Sequence, residues 1–455
     1  MSFYNSFARS ILVPVHDAVK GERTMKNLRA LEASQWWPSA QLETLQSERL
    51  QSLLQHTYTH VPHYRRLMDE RDIRPTDITS AAALALLPVL TKATIRENLR
   101  DLVAEGFPRR ELRQDRTGGS TGTPMTFYGT RDERVNYGYA RHFRALGWAG
   151  VRFADRMVVI HEMSGTVSPS QRVLRRLDHM LHRVTPFDTG AAAEAYLPDV
   201  VSTLRRTRPS VLRAYPSVLY LIATFLKSSE QSITSIRTIV AGGEQLFDYQ
   251  RQAIREVFGV EPFSKYSSME NWDIACECEA HAGMHIQAED LVVEVVDDRG
   301  NPALPGQQGR ILVTNLHNYG MPFIRYDTDD YGRLIPSTCS CGRTLPMLDI
   351  TVGRCRDYIE TASRGRISGT GIGIRNMATM GVTQFQLVQE IAGQVTARIV
   401  APGLPRADSQ DAVRRAVVEI LQKRFGDDTG IQVEFVGRID PTPSGKHMAV
   451  VSRLA

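Results

Sequence analysis

The stretch IRTIVAGGEQLFDYQRQAIREVFG, residues 236–259, decides how the chain is built. It opens as a short β-branched run ending in two glycines and continues with apolar residues at helical spacing, so a strand feeds a helix through a tight turn. The same unit occurs upstream, where VLRAY (211–215) is followed by PSVLYLIATFL (216–226), and RMVVIH (156–161) reads as a further strand. Alternation of strands and helices implies an α/β layer structure with strands buried between helices. Phosphate sites in such folds lie at the carboxyl ends of the strands.

On either side of this core the texture changes. The first hundred residues read as mostly helical, with LRALEASQWW, QSERLQSLLQHTYTHV and YRRLMDERDI as candidate helices and a helix start near Thr91 or Thr94. Thr130 and Glu133 stand in capping-box relation at the head of RDERVNYGYARHFRALGW, which Gly147 is expected to close. From about residue 291, LVVEVVDDRGNPALPGQQGRILVTNL places two strands around a turn rich in Asp, Gly and Pro, which marks a β-rich subdomain. The last hundred residues read as a hairpin, a helix over DAVRRAVVEILQKRFG and a final strand. The expected organisation is a large α/β region with a β-rich subdomain over 1–352, and a small mobile α+β domain over 353–455.

A length of 455 residues calls for several structural units, since single cores stop growing near roughly 250–300 residues. The +5 net charge is too small and too scattered to indicate nucleic-acid binding. The longest apolar run, AAALALLPVL, is far short of the ~20 residues of a membrane span. Without a secretory leader pattern at the N-terminus, the expected location is cytoplasmic.

The segment RTGGSTGTP, 116–124, is flanked by the strand-like ELRQDR and MTFYGT, so it is a loop held at both ends. Glycine lets backbone N–H groups converge on an anion, and Thr117, Ser120, Thr121 and Thr123 add hydroxyls around Gly118, Gly119 and Gly122. Phosphate cradling and an ordinary hairpin turn both fit. No lysine follows Gly122, which excludes the familiar phosphate loop. Four of the five cysteines form two Cys-x-Cys pairs, Cys276/Cys278 and Cys339/Cys341, with His281 and His285 following the first. In a reducing compartment, clustered thiolates and imidazoles favour Zn²⁺ over disulfides.

The glycine loop, VAGGEQL, KYSSMEN, RYDTDDYGR, VGRCRDYI and PTPSGK follow one another in an order that resembles the adenylate-forming (acyl-CoA ligase) superfamily. Within it, the chain resembles the phenylacetate-CoA ligase family and its subgroup found with capsular polysaccharide biosynthesis genes. HVPHYRRLM and LPVLTKATIRE fit that family's N-terminal region, so the likeness covers nearly the whole chain.

The resemblance implies that residues 117–123 clamp the β- and γ-phosphates of ATP, that Gly242, Gly243 and Glu244 lie against adenine, and that Tyr266, beside Ser267 and Ser268, stacks on its other face. Glu270 would hold Mg²⁺, Asp330 the ribose hydroxyls, and Arg354 the phosphates or ribose just beyond the hinge. Lys446 would bridge carboxylate and α-phosphate, offsetting the repulsion between two anions. It also implies a structural zinc on Cys278, His285, Cys339 and Cys341, with His281 and Cys276 as the substitutes for His285 and Cys278. His161, Glu162 and Tyr215 are candidates for the acid pocket.

The implied reaction joins a small carboxylic acid and MgATP into an acyl-adenylate and pyrophosphate, then transfers the acyl group to a thiol of coenzyme A or an acyl carrier protein. Transfer to an amine, or a non-catalytic nucleotide-binding scaffold braced by zinc, are the rival readings. The sequence departs from the family where Ser267 replaces the glycine after the tyrosine, where Met269 precedes Glu270, and where ETASRGRISGTGIGI lacks the usual run of true phenylacetate-CoA ligases.

Overall fold

Apolar residues recurring every three to four positions make the N-terminal hundred residues a largely helical layer. α1 (Phe3–Phe7) and α2 (Val13–Lys20) flank a π-turn at Ala8–Leu12, and α3 (Thr24–Ser34), α4 (Ser39–His60), α5 (Pro62–Glu70) and α6 (Lys92–Glu97) follow. In α4, Leu50, Leu53 and Leu54 are fully buried, each contributing ~1.5–3 kcal/mol by leaving water. Thr91 caps α6, its Oγ1 accepting from the Thr94 N–H at 3.1 Å. The computed structural model describes residues 3–116, 125–161, 176, 179–188, 197–246, 248–297, 299–352, 358–361, 363–368, 382, 384–401, 407–439, 450–452 and 454.

β1 (Leu112–Arg116) and β2 (Thr126–Thr130) pair antiparallel with Arg116 opposite Thr126, so the glycine segment joins the ends of a hairpin. Phe127 and Met125 anchor it in the same core as Phe323 and Met321. The next helix begins on Thr130, whose Oγ1 accepts from the Glu133 N–H at 3.1 Å. The reciprocal half of the expected capping box does not form. The Glu133 carboxylate turns inward and accepts from Arg141 at 2.9 Å and Asn315 at 3.1 Å. After a π-turn, α7 (Tyr139–Trp148) runs through Gly147, and the left-handed residue that ends it is Gly150, at φ 76°. Gly147 is a helical residue, which corrects the expected stop by three positions.

β3 (Met157–His161), β4 (Val184–Asp188), α8 (Leu197–Thr207), β5 (Val211–Ala214), α9 (Pro216–Ser228), β6 (Thr238–Gly242), α10 (Asp248–Phe258) and β7 (Pro262–Ser268) form the parallel half of a large sheet. β8 (Trp272–Glu277), β9 (Met284–Ile286), β10 (Leu291–Val296), β11 (Gly309–Asn315), β12 (Tyr326–Ile335) and β13 (Met347–Val352) continue the same sheet antiparallel. The order across it is β10-β11-β12-β13-β9-β8-β7-β6-β5-β3-β4. The β-rich region therefore extends the α/β sheet. α8, α9 and α10 bury Val200, Leu204, Leu219, Ile222 and Ile254 against Leu212 and Ile239 on one face. α7 covers the other with Leu146 against Met157, Val211 and Val240.

The C-terminal residues build a separate core. β14 (Tyr358–Thr361) pairs with β15 (Gly365–Ser368), while β16 (Gln384–Ile391), β17 (Gln394–Val400), β18 (Gly430–Phe435) and β19 (Val450–Ser452) form a sheet ordered β18-β17-β16-β19. α11 (Ala407–Phe425) lays Val413, Val417, Leu421 and Phe425 on that sheet, the face its helical spacing foretells. The α/β class with a C-terminal α+β unit is as expected. Gly353 and Arg354, expected at the hinge, lie outside the described residues.

Candidate functional site

β3 and β5 are neighbours, yet the chain leaves β3 for β4 on one side and leaves β5 for β6 on the other. That reversal is a topological switch point, where open α/β sheets place their ligand crevice beyond the carboxyl ends of the strands. His161 ends β3, Tyr215 follows β5, Gly242 ends β6, and Tyr266, Ser267 and Ser268 end β7.

Around this crevice the structure brings several of the anticipated residues together. The Tyr266 hydroxyl donates to Asp330 Oδ2 at 2.9 Å, although the two are 64 residues apart. Gly243 sits at φ 84°, and a Cβ there would lie 2.5 Å from the Tyr215 ring, so only glycine fits between that ring and the end of β6. Glu270 Oε1 accepts from the buried Tyr326 hydroxyl at 2.6 Å, and Ser268 Oγ accepts from the Asn271 N–H at 3.0 Å, closing the turn that carries Glu270. Arg325, Asp329 and Trp272 hold φ of 53°, 63° and 61°, a conformation rare outside glycine that clusters at functional sites. Glu244 accepts from Arg424 at 3.2 Å, tying the end of α11 to the Gly-Gly-Glu turn. Thr117, Gly118, Gly119, Ser120, Thr121, Gly122, Thr123, Glu162, Arg354 and Lys446 lie outside the described residues.

Beneath the crevice, between α7 and the sheet, four polar side chains form a buried network. Asp273 accepts from Lys265 Nζ at 2.6 Å and from His142 Nδ1 at 2.7 Å, and Arg213 Nη1 lies 3.1 Å from His142 Nε2. A guanidinium only donates, so Nε2 carries the lone pair and His142 is neutral with its proton on Nδ1. Burial, aided by the nearby Arg213, accordingly holds His142 down at about 4 against the pull of Asp273. Burial also lowers Lys265, while Asp273 is held below the ordinary carboxylate range because Lys265, His142 and Arg213 together outweigh its desolvation.

One consequence is measurable. His142 takes up its proton more readily unfolded, near 6.5, than folded, so its contribution to stability is complete above 6.5 and is lost as pH falls toward about 4. Thermal midpoints measured across that window should fall more steeply for the wild type than for His142→Gln.

At the far side of the sheet, Cys278, His285, Cys339 and Cys341 place one ligand atom each within 4.8 Å of the others. Cys278 Sγ and Cys339 Sγ are 3.6 Å apart, and Cys341 Sγ is 3.3 Å from His285 Nε2. A tetrahedral ion with Zn–S bonds of ~2.3 Å has S···S edges of about 3.8 Å, so the donor spacing fits zinc. His285 Nδ1 faces the Leu345 carbonyl at 3.4 Å, which orients Nε2 toward the thiols. N–H groups of Ala280 and Arg343 donate to the Cys278 and Cys341 sulfurs. Burial pushes the Cys278 thiol up to about 12, so a thiolate there needs a neighbouring cation. The two substitutes are engaged elsewhere: His281 Nδ1 is 3.0 Å from Glu277, and Cys276 faces the Ala145 carbonyl.

Residues 359–453 match the family described as the CapK C-terminal domain. The chain is 28% identical to the phenylacetate-coenzyme A ligase of Thermus thermophilus over 331 residues, spanning 71% of this chain and 72% of that protein. It is 23% identical to protein CapK of Staphylococcus aureus over 427 residues, spanning 90% and 89%. Over these spans the chain is similar to phenylacetate-coenzyme A ligases and to CapK. Its fold is shared with 2-hydroxyisobutyryl-CoA ligase in complex with 2-HIB-AMP and CoA, at a TM-score of 0.66 and 21% identity over 92% of each chain. No helix among the described residues is long and apolar enough to cross a membrane.

Sequence reasoning missed Tyr326, Arg424 and the network of His142, Arg213, Lys265 and Asp273. Lys265 and Asp273 bracket the KYSSMEN motif, a signal that could have been read. His142, Arg213 and Arg424 carry no local mark, because their partners lie 71 to 180 residues away.

Proposed function

We propose that this protein activates a carboxylic acid with MgATP to an acyl-adenylate, releasing pyrophosphate, and then passes the acyl group to a thiol, coenzyme A or a carrier protein's phosphopantetheine. The observation that carries this reading is the Tyr266–Asp330 hydrogen bond at 2.9 Å, which sets an aromatic face and a ribose-binding carboxylate side by side at the ends of the parallel strands. In this reading the Gly242–Glu244 turn and Tyr266 enclose adenine, Asp330 takes the ribose hydroxyls, and the loop over 117–123 covers the phosphates. Glu270 offers a hard carboxylate oxygen to Mg²⁺; among the described residues only Tyr326 hydrogen-bonds to it. Arg354 meets the nucleotide once the small domain turns, and Lys446 reaches the reacting oxygens. Zn²⁺ on Cys278, His285, Cys339 and Cys341 braces the antiparallel half of the sheet and does no chemistry, since a closed four-ligand site has no open position.

Pyrophosphate release screened over a carboxylic-acid library, with hydroxylamine to trap adenylates, tests the first half-reaction. Mass spectrometry with coenzyme A, carrier proteins and amines offered together tests the second, and an amide as sole product would overturn the thiol assignment. Asp330→Ala is expected to weaken ATP binding by roughly tenfold to a hundredfold, because two hydrogen bonds to a charged acceptor are lost. Isothermal titration with ATP measures it; wild-type affinity would remove Asp330 from the nucleotide site.

A further inference from the structure

The surface between α7 and the sheet changes character along the strands. At its base Leu146, Ala149, Met157, Val211 and Val240 make a dry apolar layer. Closer to the carboxyl ends, on the same face, His142, Arg213, Lys265 and Asp273 replace it. This polar level lies directly under the crevice where β3 and β5 part company. A Cβ at Gly242 would crowd the Lys265 backbone carbonyl at 3.1 Å and stand in ordinary contact with the Lys265 side chain.

The charges at this level do not balance. Lys265 and Arg213 are cations, His142 is neutral by its hydrogen bonds, and Asp273 is the one carboxylate. The Lys265 and Asp273 side chains are each only 4% exposed and satisfy each other at 2.6 Å. Arg213 is half-buried, and among the described residues no carboxylate lies within ion-pairing distance of its nitrogens. One of them donates to a neutral imidazole, which leaves the remaining N–H groups of a planar fork for a bidentate acceptor. An arginine held in place by a neutral imidazole and partly exposed beside the ends of the strands can offer those N–H groups to an anion.

We propose that Arg213 receives a second carboxylate carried by the acyl substrate, so that the acid activated here is a dicarboxylate. One carboxylate meets ATP at the mouth of the crevice while the other docks on Arg213. His142, fixed by Asp273, holds the guanidinium in position, and Lys265 keeps Asp273 charged. This rests on the ligase reading above and narrows its substrate class.

The test compares a series of straight-chain dicarboxylates with their monomethyl esters, which keep the length and remove the distal charge. Pyrophosphate release gives kcat/KM for each, and the dicarboxylate is expected to exceed its ester by about 10- to 100-fold, the range of a charge-assisted bidentate contact. Arg213→Met should bring that ratio close to one, and Arg213→Lys should restore part of it. A wild type that favours the ester, or a ratio unchanged in Arg213→Met, overturns the proposal. If no acid of any class releases pyrophosphate, the ligase reading fails. Calorimetric titration of the dicarboxylates then decides the anion site alone: binding that is lost in Arg213→Met supports it, and no binding to the wild type refutes it. Thermal midpoints of both variants identify any loss that comes from unfolding.

Discussion

Lys446→Ala is expected to slow acyl-adenylate formation by at least ~100-fold while ATP affinity stays nearly unchanged. Activation requires a carboxylate oxygen to approach the α-phosphorus, and both partners are anions. A single ammonium shared between them gains most when charge is redistributed in the transition state, so its loss falls on the rate more than on the ground state. Removing one preorganised charge-stabilising group typically costs ~10²–10³ in rate. Pyrophosphate release and ATP titration on the same preparation separate the two effects. Unchanged release would remove Lys446 from the reaction, and loss of ATP binding in parallel would make it a nucleotide-binding residue only.

Cys339→Ser is expected to leave the purified protein with far less zinc than the about one ion per chain of the wild type, and to lower the thermal midpoint by ~5–10 °C. Cys278, Cys339, Met284, Leu345 and Leu348 share one buried cluster with Ile274 and Val295, so the ligands are part of the core they brace. Without the ion, Cys278 returns to a buried thiol, and β9, which carries His285, shares only two paired positions with β13, the strand that follows Cys339 and Cys341. Elemental analysis and differential scanning calorimetry measure the two effects together. Wild-type protein lacking zinc, with Cys339→Ser equally stable, would leave four ordinary core side chains.

The Asp330 and Arg213 experiments address different ends of the same crevice. Asp330→Ala acts on the nucleotide whatever the acid, whereas Arg213→Met acts on the choice of acid. An effect of Arg213→Met on ATP affinity in the absence of acid would place its guanidinium beside the phosphates and count against a distal carboxylate.

How much of this was legible beforehand follows from the range of each interaction. The unit at 236–259 became β6, the Gly-Gly-Glu turn and α10 because β-branched runs and helical apolar spacing act within a few residues. The stripe of Val413, Val417, Leu421 and Phe425 was readable for the same reason, and it is the buried face of α11. Gly147 misled because glycine is tolerated inside a helix, and the left-handed turn at Gly150 depends on where the chain must go next. Glu133 misled too. Its spacing from Thr130 suits a capping box, but the buried Arg141 guanidinium offers a stronger partner than the neutral Thr130 backbone N–H.

The same division runs through the site. Sequence alone determined most of the elements, the order of the motifs, and the residue types proposed to hold nucleotide, magnesium and zinc, since these depend on local periodicity and on side-chain chemistry. Only the tertiary structure decided that Tyr266 meets Asp330, that His285 and not His281 faces the three thiols, that Arg424 reaches Glu244, and that Arg213 has no carboxylate partner among the described residues. Each of those facts depends on which distant strands and helices become neighbours. That is set by the burial of whole faces of the sheet, a long-range balance that no window of sequence contains.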